Sequence, residues 1–103
     1  MLSSLIMKIT LVKKILADGS PCRKCADVEK RLVESGQMAS IDKVIIADER
    51  DPLSLGMQLA QQHQVDLAPF FIVQADDETV KIYTVYFQFV KEVLQALKAT
   101  MQA

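Results

Sequence analysis

Ile15-Leu16-Ala17-Asp18-Gly19-Ser20-Pro21-Cys22-Arg23-Lys24-Cys25 joins two different side-chain periodicities, and the rest of the chain is most easily read outward from it. On its N-terminal side, Ile6 to Ile15 is rich in β-branched and apolar residues, the composition of a strand. Ala17 to Pro21 is a cluster of turn formers that ends this strand. On its C-terminal side the apolar residues fall at Cys25, Val28, Leu32 and Val33, an i, i+3, i+7, i+8 stripe. That spacing predicts an amphipathic helix from Cys22 to Ser35, with Arg23, Lys24, Lys30 and Arg31 turned mainly to water. Gly36 suits its C-terminal cap.

Further along, Lys43 to Ala47 (KVIIA) is a short continuous apolar run, which predicts a strand buried on both faces. Asp51-Pro52 has the pattern of a helix start, Asp as N-cap and Pro at the first helical position, and Leu55, Leu59, Ala60 and His63 continue at helical spacing. Pro69 to Val73 (PFFIV) is a further apolar strand. Asp76-Asp77-Glu78 is a polar turn, and Thr79 to Tyr83 alternates as a hairpin partner does. Phe89, Val90, Val93, Leu94 and Leu97 mark a last amphipathic helix ending near Ala99. The order β-α-β-α-β-β-α predicts an α/β fold. Its βαβ unit has a right-handed crossover, and its mixed four-stranded sheet carries helices on both faces.

The length of 103 residues suits a single domain over 1–103. Half of the residues are apolar, as in a packed globule. The 12 basic and 13 acidic residues nearly cancel, so no bulk field draws the chain to nucleic acid. The stretch from Met1 to Leu16 is broken by Lys8, Lys13 and Lys14. It has neither a signal-peptide core nor the roughly 18–20 apolar residues of a membrane span. The expected location is the cytoplasm, with Met7 as an alternative start. A monomer is expected.

Two cysteines do not make a disulfide scaffold, and a bridge between positions 22 and 25 closes too short a loop to stabilise the fold much. The pair therefore points to redox chemistry or metal binding. At i and i+3 the two side chains meet on the first helical turn. Cys22, at or near the N-cap, faces unpaired backbone N–H groups and the positive end of the helix dipole, which favour its thiolate. Arg23 and Lys24 add positive charge. Cys22 is thus the expected nucleophile, and Cys25, one turn in and on the apolar stripe, the more buried resolving thiol.

Ser20-Pro21-Cys22-Arg23-Lys24-Cys25 after the first strand, together with Ala68-Pro69-Phe70-Phe71-Ile72-Val73 at the third, resembles the thioredoxin superfamily over about Met7 to Leu97. The length, without an extra N-terminal strand and helix, is more similar to glutaredoxin than to full thioredoxin. The resemblance implies the thioredoxin fold and thiol–disulfide exchange. The disulfide reduced belongs to a partner protein or a glutathione mixed disulfide, and a reductase or glutathione serves as the thiol source. It further implies a cis peptide before Pro69, facing the cysteines, with Ala68 open to backbone pairing with an extended partner segment. Pro21, Arg23 and Lys24 complete the expected partner-binding residues. No metal or organic cofactor is implied. The chain departs from the family pattern in carrying Arg23-Lys24 between the cysteines and Ser20 before Pro21. The glycine pair that helps glutaredoxins hold glutathione is absent from Tyr83-Thr84-Val85-Tyr86-Phe87.

Two other functions compete. A zinc or iron–sulfur site needs a second subunit, because two cysteines supply only half of a four-coordinate set. A non-catalytic interaction module keeps the fold and uses the hairpin edge. Among nearby residues, Lys14 and Asp18 lie close to the cysteines in sequence. His63 reads as a surface or packing residue on the second helix. Tyr83, Tyr86 and Phe87 read as core or, less often, as the wall of a partner groove.

Overall fold

The computed structural model describes residues 7–75 and 77–95. Strand β1 (Met7–Ile15) leads through the Leu16–Pro21 turn into helix α1 (Arg23–Glu34). A 3₁₀ turn (Gln37–Ser40) follows, then strand β2 (Lys43–Asp48), helix α2 (Leu55–Gln62), and strands β3 (Phe70–Ala75) and β4 (Val80–Tyr83). Helix α3 (Tyr86–Phe89) continues directly into a π-helical turn, Val90–Leu94. The four strands form one mixed sheet in the order β2-β1-β3-β4. β1 and β2 are parallel, and β3 is antiparallel to both β1 and β4. Among the described residues this is an α/β architecture with three helices. Ile6, Asp76, Leu97 and Ala99, assigned above to a strand, a turn and a helix, lie outside the described residues.

The pleat sends successive β1 residues to opposite faces, and each face has its own core. Ile9 and Leu11 join Phe71, Val73 and Tyr83 on the face covered by Val28 and Leu32 of α1 and by Phe89, Val93 and Leu94. Phe71 and Phe89 stack with ring centroids 3.8 Å apart. Burying a side chain of this size contributes roughly 1.5–3 kcal/mol. On the opposite face Val12, Ala47 and Phe70 pack with Ile45, Ile72 and Ile82 beneath Met57, Leu59 and Ala60 of α2.

Three local expectations are corrected. β2 is an edge strand and is not buried on both faces. Ile45 and Ala47 feed the α2-side core, but Val44 and Ile46 face the other way and are 42% and 37% exposed. Helix α1 packs over β1 and leaves them open. The second helix begins at Leu55 and not at Asp51-Pro52. The Asp51 carboxylate accepts the Leu53 N–H at 3.0 Å and its carbonyl accepts the Ser54 N–H at 3.0 Å, so these residues form a turn that postpones the helix. The helix must also start where Gly56 lies against β2, because a Cβ there would overlap the Ile46 and Ala47 backbone. The last helix, finally, widens into π geometry after Phe89.

Candidate functional site

The cysteines are positioned by a fold-back of the chain over the end of β1. Leu16 N–H bonds Ser20 C=O at 2.8 Å and Gly19 N–H bonds Leu16 C=O at 2.8 Å, closing a tight turn. Gly19 has φ +85°, a left-handed conformation that glycine adopts without penalty. The Asp18 carboxylate accepts the Ser20 backbone N–H at 2.9 Å and also the Ser20 hydroxyl. These bonds hold Asp18 below the usual carboxylate range, and it stays exposed, so its role is to tie the loop. Pro21 then bridges antiparallel to Ile15, and Cys22 N–H reaches Lys14 C=O at 3.1 Å. The turn thus lays Cys22 back beside β1.

Cys22 is the N-cap of α1, with φ −66° and ψ 122°. Its Sγ takes the place that a serine or aspartate oxygen usually occupies and accepts the Cys25 backbone N–H at 3.2 Å. Cys25 lies one turn into the helix, and its Sγ accepts the Lys14 backbone N–H at 3.4 Å. Both thiols are free and nearly covered: Cys22 is 8% and Cys25 4% exposed. Burial, and then a hydrogen bond shared with the Cys22 sulfur, push the Cys25 thiol up to about 12, while the Lys14 N–H acts in the opposite direction. The sulfur one turn in therefore holds its proton.

Arg23 and Lys24 project into solvent. The Lys13 ammonium pairs with Glu29 of α1 at 3.1 Å. Lys14 points to the other face, where its ammonium meets Glu49 at 3.3 Å and the Asp66 carbonyl at 3.5 Å. The Ala68–Pro69 peptide is cis. The β1–β3 register pairs Val12 with Phe70. Pro69 therefore directly precedes the residue paired with Val12, two positions before Lys14, whose backbone bonds both cysteines. His63 caps the C-terminus of α2 and is partly buried. Tyr83 is a core residue, 5% exposed, and does not line a groove. Tyr86 packs against the core, and Phe87 is exposed beneath the Arg31 guanidinium, 5.8 Å from the ring centroid.

Two features of the site carry no sequence signal at the cysteines. One is the Lys14 backbone, which serves both sulfurs through its N–H and C=O whatever its side chain. The other is Ile46, which the β1–β2 register sets opposite Lys13 and which joins both cysteines in lining one cavity. Among the described residues no helix is long and apolar enough to cross a membrane, and no three His, Cys, Asp or Glu side chains converge. No family model, curated protein or solved structure matches the chain.

Proposed function

We propose that this chain is a thiol–disulfide oxidoreductase of the thioredoxin fold, using Cys22 as nucleophile and Cys25 as resolving thiol. The observation that carries the reading is the Cys22 sulfur capping α1, where it accepts the Cys25 N–H at 3.2 Å. A sulfur held there stands one helical turn from Cys25, the partner it needs to close a bridge. The strand order, the cysteine pair at the end of β1 and the cis Ala68–Pro69 bond support the same reading. The cytoplasm, which keeps thiols reduced, is the compartment in which such a dithiol acts as a reductant.

The reaction balances without a cofactor. The Cys22 thiolate attacks one sulfur of the partner disulfide. A Cys22–partner bond forms, the partner S–S bond breaks, and the departing sulfur leaves as a thiolate that takes a proton from water. Cys25 then gives up its proton to water, replacing the one the departing sulfur took, and attacks Cys22 Sγ. The Cys22–Cys25 disulfide forms, and the second partner sulfur leaves. Two electrons pass to the partner, and an external thiol reductant restores the dithiol. Ala68 offers backbone groups to an extended partner segment beside the cysteines. Pro21 fixes the loop, and Arg23 and Lys24 supply positive charge at the entrance.

Reduction of a protein disulfide, followed with the wild type, Cys22→Ser and Cys25→Ser, tests this. Cys22→Ser abolishes turnover. Cys25→Ser accumulates a mixed disulfide with the partner through Cys22. A wild type that neither reduces nor exchanges disulfides, or a Cys25→Ser protein that traps nothing, overturns the reading.

A further inference from the structure

Both cysteines form part of the wall of a cavity of about 200 Å³ between α1 and the open face of β2. The remaining apolar wall is Ile15, Pro21, Ala26 and Ile46. The cavity lies on the β2 side of Cys22, whereas Pro69 lies on the β3 side, because β1 separates the two strands in the sheet. The charged groups near it are already satisfied. Lys13 and Glu29 pair with each other at 3.1 Å, and the Lys14 ammonium is drawn to Glu49 on the opposite face. An occupant therefore meets no unpaired lysine or glutamate, and Ile46, 37% exposed, offers it apolar surface.

Size narrows the occupant further. Pockets for whole drug-sized ligands run from about 300 Å³ upward, whereas a dry cavity of about 150 Å³ holds a molecule the size of benzene. The cavity here suits one aliphatic side chain. Whatever fills it rests against Cys22 and Cys25. Resting on the redox reading above, we infer that it is a specificity pocket for an uncharged aliphatic side chain, of leucine or isoleucine size, next to the partner's disulfide-forming cysteine. Ile46 and Ala26 are then specificity-determining residues on opposite walls.

Two series of blocked tripeptide disulfides, one with leucine and one with glycine beside the cysteine, test the pocket through the ratio of their kcat/KM values. Burial of an aliphatic side chain predicts that the wild type prefers the leucine peptide on the order of tenfold. Ile46→Trp fills the cavity from the exposed strand and Ala26→Leu from the exposed helix face, and each brings the ratio close to one. Leu53→Ala, an exposed apolar residue away from the cavity, keeps the wild-type ratio. A wild type that reduces both peptides with a ratio near one overturns the pocket and leaves the redox reading standing, as does a preference that survives both cavity-filling variants. A wild type that reduces neither peptide nor a protein disulfide removes the redox reading itself.

Discussion

The backbone N–H of Lys14 points at the Sγ of Cys25 across 3.4 Å, while the carbonyl of the same residue accepts the Cys22 N–H at 3.1 Å. One residue of β1 thereby holds both members of the pair, one by its sulfur and one by its backbone. The position of the sulfurs thus depends on the strand and not on a flexible side chain. Cys25 is covered and holds its proton, so the pair is asymmetric before any partner arrives. Limited alkylation of the reduced protein with iodoacetamide near pH 8 is expected to modify Cys22 first. Peptide mapping that finds Cys25 labelled ahead of Cys22 contradicts the division of roles.

The same asymmetry sets a pH dependence. The Cys25 thiol is raised to about 12 in the folded chain from an ordinary 9.0. Above pH 9 the unfolded chain loses this proton and the native chain keeps it. The native state then binds more protons, and stability falls with rising pH. The contribution is complete below pH 9 and is lost progressively toward 12, with a limiting slope of about 1.4 kcal/mol per pH unit. Urea unfolding of reduced wild type and Cys25→Ser between pH 8 and 10.5 checks this. The wild type loses stability faster than the variant, and parallel curves would show that Cys25 titrates normally.

Much of this architecture is written in local pattern. The ten-residue β-branched run before the turn and the i, i+3, i+7 stripe after it are strong periodic signals, and β1 and α1 appear where those signals lie. β2 was legible as a strand but not as an edge. KVIIA has the same composition whether its outer side is paired or open, and only the positions of distant strands decide that. The start of α2 was hidden because Asp-Pro serves a turn as well as a helix N-terminus, and the deciding contact, Gly56 on the β2 backbone, is tertiary. At the site, the Cys22–Cys25 spacing was visible. The fold-back that pairs Pro21 with Ile15 and the register that brings Ile46 to the cavity were not, because both arise from backbone pairing between segments.

Gly56 gives the sharpest test of the α2–β2 contact. Any Cβ at this position overlaps the Ile46 and Ala47 backbone, which cannot yield without moving β2. Gly56→Ala is expected to destabilise the fold by about 3 kcal/mol, at the upper end of ordinary overpacking, despite alanine's better helix propensity. Equilibrium denaturation measures it. A neutral or stabilising substitution would mean that α2 does not press on the strand.

Asp42 is an exposed residue with a structural task. Its carboxylate accepts the Ile9 N–H at 2.7 Å, and its own N–H donates to the Ile9 carbonyl at 2.8 Å. The side chain thus stands in for a ladder partner just before β2 begins. Ile9 is 1% exposed, so loss of the acceptor leaves a poorly solvated donor. Asp42→Ala is expected to cost about 2 kcal/mol, with Asp42→Asn recovering part of it, and to speed exchange of the Ile9 amide proton. Unchanged exchange at Ile9 in the alanine variant would remove this role.

Glu92 fastens the π-helical turn to β4. Its carboxylate accepts Gln88 Nε2 at 2.9 Å, Lys81 Nζ at 3.1 Å and the Tyr83 hydroxyl at 3.0 Å. Gln88 first, then Lys81 and Tyr83, hold its carboxyl below the ordinary 4.5. For a depressed carboxyl the stabilisation is present above the ordinary value and lost as pH falls through the lower native one. Salt weakens the Lys81 part, since both side chains reach solvent. Glu92→Gln therefore lowers the thermal midpoint at pH 7, and the gap between variant and wild type closes as the pH approaches 3. A gap of equal size at both pH values would show that packing of the side chain, and not its charge, holds this turn to the strand.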